Sequence, residues 1–334
     1  MKSRSLRIGI SVVLSAVFLG FAVRGVHWDE AAAALREANY VWVLLMLPIT
    51  VWSLVIRAQR WRVFLQGVGV PALRPLVSAT NIGFMANMVL PLRIGEVIRP
   101  VLLARRANLV LSGVLASVLL ERIFDMFTIL FLFGVAASLV HVSPQVQQWG
   151  WMLGGLAVAV AAVIVLIRVQ EQLALSIARR LSALLPGASG AAAYRFAEGF
   201  VQALKMLDSP MAYVRAFTWS LFLWLVISLV YVLGFWAFHL DVPALRGALV
   251  LTALVSIAVS VPSAPGFIGS FQLGCVLALR IFNVPESEAL AFSLVVHLTQ
   301  FVGVIGAGLY SLWSEGISLR EVEASEQGGN ADAA

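Results

Sequence analysis

Charged residues are scarce in this sequence. They make up 12% of the 334 residues, whereas 61% are hydrophobic, and the mean hydropathy is +0.94. Soluble domains carry about 25% charged residues, because charge covers their water-facing surface. The shortage excludes a soluble enzyme of this size and predicts that lipid solvates much of the chain.

Lysine and cysteine are almost missing. Lys2 and Lys205 are the only lysines, so nearly all of the 23 basic residues are arginine. Either a GC-rich genome or phosphate recognition explains this bias, since a guanidinium binds phosphate bidentately. The basic residues flank apolar segments and form no surface stripe, which argues against a nucleic-acid partner. With Cys275 as the single cysteine, no intrachain disulfide can form.

Signatures of catalysis and of metal binding are missing as well. The four histidines lack the spacing of metal ligands. The sequence contains neither a Gly-Lys-Ser/Thr phosphate loop nor a Gly-x-Ser-x-Gly elbow. We therefore expect a protein that is not an enzyme and has no cofactor and no metal site.

Six apolar runs are long enough to cross a membrane, which takes about 20 residues. Two more apolar stretches, 76–104 and 245–282, are interrupted by proline, glycine and charge. The predicted fold is all-α: a polytopic membrane bundle of six full spans and two re-entrant broken-helix hairpins. The first run lacks a convincing cleavage site, so it is interpreted as a retained anchor and not as a signal peptide. The predicted spans are 7–26, 40–57, 112–140, 150–168, 215–239 and 288–313.

The distribution of arginine predicts the orientation, because positive residues favour the cytoplasmic side. Basic residues precede the first span, follow the second at Arg57, Arg60 and Arg62, and recur over 168–215. The 141–149 loop has no lysine or arginine and is predicted to lie outside. Both termini are then predicted to be cytoplasmic.

Three segments complete the predicted organisation. Residues 1–314 form one transmembrane domain, and within it 190–207 is an amphipathic helix on the inner leaflet. Residues 315–334 are polar and acidic, which is typical of a disordered cytoplasmic tail.

A shift of 176 residues superposes the two interrupted stretches. Glu96 then falls on Gln272 and Glu121 on His297, with 25 residues between the members of each pair. In the predicted orientation the first stretch enters from the cytoplasm and the second from outside. Such inverted repeats are typical of secondary transporters, whose site lies at the repeat interface.

The second interruption contains Pro262 and Pro265, neither of which has an N–H to donate. Either one helix is kinked there or a half-helix restarts near Pro265 or Gly266. A restarted helix would direct free N–H groups, as far as Gly269, toward an anion.

Charged residues inside a membrane mark candidate sites. Arg93, Glu96 and Arg99 are spaced by three and share a helix face. One carboxylate between two guanidiniums leaves a net positive charge. The cluster either holds a phosphate or is a self-neutralising structural feature.

A second polar set lies on the spans that follow the interruptions. Glu121, Arg122 and Asp125 are about ten residues into 112–140 and form either a gate or proton-coupled site or an ion pair that packs helices. Gln272 and His297 hold the matching places in the second half. His297 either titrates or makes a packing hydrogen bond.

Several segments together resemble the lysylphosphatidylglycerol synthase transmembrane family, which is flippase-like. The resemblance covers about 5–315 and implies a lipid-flipping module without the aminoacyl-transferase domain that the synthases carry. It also implies that the polar set of Arg93, Glu96, Arg99, Glu121, Arg122 and Asp125 is functional. The sequence departs from the family at Gln272, where Glu is usual, at His297, and at Phe267, which replaces a common glycine. The segments are Asn81–Asn87, Leu90–Arg99, Leu102–Arg106, Leu119–Asp125, Pro262–Phe271 and Asn283–Leu290.

The sequence thus predicts a flippase or transporter for membrane lipids with an anionic head group, either a phospholipid or a polyprenyl-phosphate lipid. An alternative is a non-transporting subunit that anchors or regulates a cell-envelope lipid enzyme as its partner. A small-solute transporter would need a wet cavity closed to the bilayer. No oligomeric state is predicted.

Overall fold

The computed structural model is helical, with no strand, over the part of the chain that it describes. It describes residues 15–90, 93–139, 169–185, 188–205, 209–260 and 264–316, with isolated positions at 13, 207 and within 148–167. The helices are α1 Trp28–Glu37, α2 Tyr40–Phe64, α3 Leu73–Val89, α4 Gly95–Ala107, α5 Leu111–Leu139, α6 Glu171–Ser182, α7 Ala188–Lys205, α8 Pro210–Ala237, α9 Ala244–Ser260, α10 Ser270–Arg280 and α11 Glu286–Glu315.

Three of these helices, α2, α8 and α11, are long and apolar enough to cross a membrane. Helix α5 has 29 residues and contains Glu121, Arg122 and Asp125. These four helices correspond to predicted spans. Of the predicted span 7–26, residue 13 and residues 15–26 are described, and 15–22 are helical. Of the predicted span 150–168 only scattered residues are described, and these are helical. Most of the 141–149 loop and nearly all of the 315–334 tail lie outside the described residues. The amphipathic segment 190–207 falls on α7.

The helix of the second predicted span, 40–57, is longer than the span itself. Helix α2 contains Pro48 but no later proline or glycine, so it continues to Phe64. Arg57, Arg60 and Arg62 therefore lie on the helix and not in a loop, and Arg60 has no exposed surface at all.

Each interrupted stretch forms two short helices, α3 with α4 and α9 with α10, and the members of each pair pack together. Helices α3 and α9 are the longer members of the two pairs and have 17 residues each. At 1.5 Å per residue they span about 26 Å, less than the ~30 Å of a hydrocarbon core.

Left-handed backbone marks both interruptions. Arg93 has φ 55°, and Gly266, Phe267 and Gly269 have φ 69°, 60° and 88°. In the second interruption a 3₁₀ turn, Pro265–Phe267, precedes α10. The restarted helix is therefore the form found, but it begins at Ser270 and not at Pro265 or Gly266. Residues 91–92 and 261–263 lie outside the described part of the chain.

Contacts at the helix ends show the relative directions of the helices. Glu315, at the end of α11, pairs with Arg74 at 2.7 Å and with Arg106 at 2.9 Å. The start of α3 and the end of α4 thus lie at the same end of α11. At its other end, Phe292 stacks on Phe235 near the end of α8, with 5.6 Å between ring centroids. The backbone N–H of Asn39, the residue that caps α2, donates to the backbone carbonyl of Ala237 at 2.8 Å. The start of α2 thus lies beside the end of α8, and the two helices run antiparallel.

Candidate functional site

A cavity of about 460 Å³ lies between the two interrupted stretches and is bordered by α2, α3, α4, α5, α8, α9, α10 and α11. Its lining is mostly apolar and includes six charged side chains: Arg57, Arg93, Glu96, Arg99, Arg122 and Asp125. Six of the predicted site residues line it: Arg93, Glu96, Arg99, Arg122, Asp125 and His297. The other five, Glu121, Pro265, Gly266, Gly269 and Gln272, are not among the described residues that line the cavity.

A buried ion-pair network forms one wall of the cavity. Nη2 of Arg60 donates to Glu121 Oε1 at 2.8 Å and to Asp125 Oδ2 at 3.2 Å, and Nη1 also contacts Asp125. Nη2 of Arg99 donates to Glu121 Oε2 at 2.7 Å, and Trp224 Nε1 donates to Asp125 Oδ1 at 3.0 Å. The network joins α2, α4, α5 and α8.

This geometry favours the ion-pair interpretation of Glu121 and Asp125 over a proton-coupled gate. Glu121 is completely buried and Asp125 is 5% exposed, and the oxygens of both carboxylates face arginine. A carboxylate that accepts several charge-assisted hydrogen bonds stays ionised. Arg122 differs from these buried groups, because 36% of its side chain is exposed while it lies 3.4 Å from Glu121.

The predicted cluster of Arg93, Glu96 and Arg99 is divided in the structure. Arg99 pairs with Glu121, whereas Arg93 pairs with Glu96 at 3.5 Å. Arg93 also donates to the carbonyl of Val259 in the last turn of α9, and its guanidinium lies 5.2 Å from the ring centroid of Phe267. Arg93 therefore links the first interruption directly to the second.

Gln272 and His297 form the matching polar pair of the second half. Gln272 Oε1 accepts from the Gly269 N–H at 2.8 Å, and its Nε2 lies 3.0 Å from His297 Nδ1. The His297 ring stacks on Phe271 with 4.4 Å between centroids. Because the amide NH₂ can only donate, Nδ1 of His297 is the acceptor.

The backbone N–H of Gly269, at the N-terminus of α10, already has a hydrogen-bond partner. The Gln272 side chain caps Gly269, and a Cβ at Gly269 would lie 3.0 Å from the backbone nitrogen of Leu19. This arrangement does not present the Gly269 N–H to the cavity as a free anion-binding group.

Replacing Gln272 with leucine is expected to lower the free energy of unfolding by about 1–3 kcal/mol, because the Gly269 N–H and His297 Nδ1 would remain buried without partners. Unfolding in mixed detergent micelles measures the change. The control is Gln59→Leu, whose side chain is partly exposed. Equal stability of the two variants would show that the cap is dispensable.

Arg57 lines the cavity but was missed as a site residue by the sequence interpretation, which used it only to orient the second span. Its guanidinium carbon lies 4.6 Å from the Phe84 ring centroid and 5.7 Å from that of Trp224. Among the described residues it has no hydrogen bond and no ion pair. The signal for it is the sequence Arg57-Ala-Gln-Arg60-Trp61, which continues an apolar helix without glycine or proline.

The long apolar helices and the charged intramembrane cavity define a polytopic integral membrane protein. The family comparison matches residues 8–308 to a family described as the lysylphosphatidylglycerol synthase TM region. Because the match spans most of the 334 residues, the chain belongs to this family. The comparisons with curated proteins and with solved structures gave no match.

Proposed function

We propose that this protein moves an anionic amphiphile, either a phospholipid or a polyprenyl-phosphate lipid, across the bacterial inner membrane and is not an enzyme. One observation carries the proposal. The cavity joins guanidiniums in its interior to apolar side chains at the molecular surface, since Met126 and Ile257 line it and are each 45% exposed. An anionic head group needs the guanidiniums, and an acyl or prenyl chain needs the apolar surface.

The arrangement of the two halves supports alternating access in this proposal. A shift of 176 residues places α5 on α11, with ends that agree within one residue. The packing is reciprocal, because α3 contacts α11 and α9 contacts α5. The start of α3 and the end of α4 lie beside Glu315, at one end of α11. The second hairpin follows α8 in the chain, and α8 ends near the other end of α11. We therefore propose two re-entrant hairpins in an inverted repeat, six full spans and cytoplasmic termini.

The alternative is a non-transporting subunit that regulates a cell-envelope lipid enzyme. It would require no lipid movement by the purified chain alone. The cavity favours transport, because a mere anchor has no need of a charged space that opens toward lipid.

Filling the cavity is expected to slow lipid movement. Ser256 lines it and is partly buried, so Ser256→Trp would obstruct the space. The assay uses proteoliposomes with fluorescent phosphatidylglycerol and dithionite quenching of the outer leaflet. We expect at least a tenfold lower rate for Ser256→Trp and no change for the control Leu309→Trp, which alters a 55% exposed side chain. Wild-type vesicles that flip lipid no faster than empty ones would refute the proposal and favour the regulatory subunit.

A further inference from the structure

We infer that Arg57 is the phosphate-binding residue for the lipid head group, and that the site selects a net negative head group. The inference rests on the proposed lipid transport and adds the recognition chemistry. Its basis is a guanidinium in the cavity wall whose N–H groups have no acceptor among the described residues.

Among the described residues, the close partners of the Arg57 guanidinium are aromatic rings, and it makes no ion pair. The Phe84 and Trp224 rings both lie within 6 Å of the guanidinium, a distance at which a cation is attracted to an aromatic face. Trp224 is itself held by its hydrogen bond to Asp125. Stacking leaves the N–H edge of a guanidinium free to bind a phosphate bidentately.

The other arginines of the site are already paired. Arg60, Arg99 and Arg122 contact Glu121 or Asp125, and Arg93 pairs with Glu96. Arg57 is thus the cavity arginine without a carboxylate partner among the described residues, while its neighbours supply a fixed field around it.

The charge balance indicates which head groups fit. Five guanidiniums, counting Arg57, face three carboxylates, which leaves two positive charges in excess. Burying such an excess is costly unless an anion accompanies it. A phosphodiester supplies one negative charge and a phosphomonoester nearly two. A lipid whose head group is positive overall would add to the excess.

The test measures binding and transport on the full chain. Native mass spectrometry would follow binding of dihexanoyl phosphatidylglycerol, dihexanoyl phosphatidylcholine and inorganic phosphate to wild type, Arg57→Gln and Arg57→Lys. The matched control is Arg246→Gln, which removes an exposed arginine from α9. A thermal unfolding temperature equal to that of the control identifies Arg57→Gln as folded, and Arg57→Lys keeps the charge should the glutamine variant be unstable.

We expect wild type to prefer phosphatidylglycerol over phosphatidylcholine. Arg57→Gln should lose about tenfold or more in affinity for phosphatidylglycerol, the effect of removing a charge-assisted hydrogen bond. Arg57→Lys should lie between them, because it cannot bind bidentately. Unchanged binding in both variants would overturn the inference, as would inorganic phosphate that binds as tightly as the lipid.

The transport assay separates the two proposals. If wild type flips lipid and Arg57→Gln flips it equally well, the site is wrong and the transport function stands. If wild type binds phosphatidylglycerol through Arg57 but moves no lipid, the binding site stands and transport is wrong.

Discussion

Replacing Arg60 with alanine is expected to lower the free energy of unfolding by about 3–5 kcal/mol, the largest stability loss of any change proposed for this chain. Arg60 has no exposed surface and bridges Glu121 and Asp125. Without it, two buried carboxylates would have to share the remaining arginines, Arg99 and Arg122. Unfolding by SDS in mixed micelles measures the loss.

The matched control for Arg60→Ala is Arg246→Ala, which is expected to change the free energy of unfolding by less than about 0.5 kcal/mol because the residue is exposed. Arg60→Lys should be destabilised too, since one ammonium cannot reproduce the fork that contacts both carboxylates. If Arg60→Ala were as stable as the control, the network would not contribute to folding.

Gly95→Ala is expected to destabilise the protein by about 1–3 kcal/mol and to slow lipid movement. Helices α3 and α4 cross at Gly83 and Gly95. A Cβ at Gly95 would overlap the carbonyl oxygen of Gly83 and lie 2.6 Å from Asn87 Oδ1. Backbone cannot move aside as a side chain can, so the hairpin must open. Arg99, one turn along α4, would then be drawn away from Glu121.

Gly306→Ala is the control for this substitution, because a Cβ there meets no atom within 4 Å. Both variants gain one methyl group in a helix, where alanine is intrinsically favoured over glycine by about 1 kcal/mol. Comparing their unfolding free energies and flipping rates separates the effect of the Gly83–Gly95 contact from the effect of adding a methyl group. A Gly95→Ala protein that matches Gly306→Ala would mean that the hairpin is loosely packed.

The sequence predicts the elements well where long apolar runs or prolines determine them. Helices α5 and α11 begin and end within two residues of their predicted bounds, because their apolar runs are long and their connectors are polar. The interruptions were located from proline and glycine. The partners of each charge could not be predicted, because Arg99 is three residues from Glu96 in sequence yet pairs with Glu121 on the next helix. Helix packing decides such pairs.

The positive-inside rule did not predict that Arg60 is buried. The rule uses Lys and Arg near the ends of a span to assign its orientation, and it does not report whether those side chains are buried. Helix α2 has 25 residues and spans about 38 Å at 1.5 Å per residue, so its last turns carry arginine inside the protein. Burial of Arg60 requires carboxylates from α5, which local sequence does not reveal.

The network around Arg60 also sets an order of events during biosynthesis. Its partners Glu121 and Asp125 come 61 and 65 residues later in the chain. At about 5–20 residues per second the ribosome takes several seconds to supply them. During that interval Arg60, near the end of α2, is accommodated by extending its side chain to the aqueous interface. We therefore expect the first half of the protein to be inserted in two stages, with Arg60 entering the interior once α5 has been inserted.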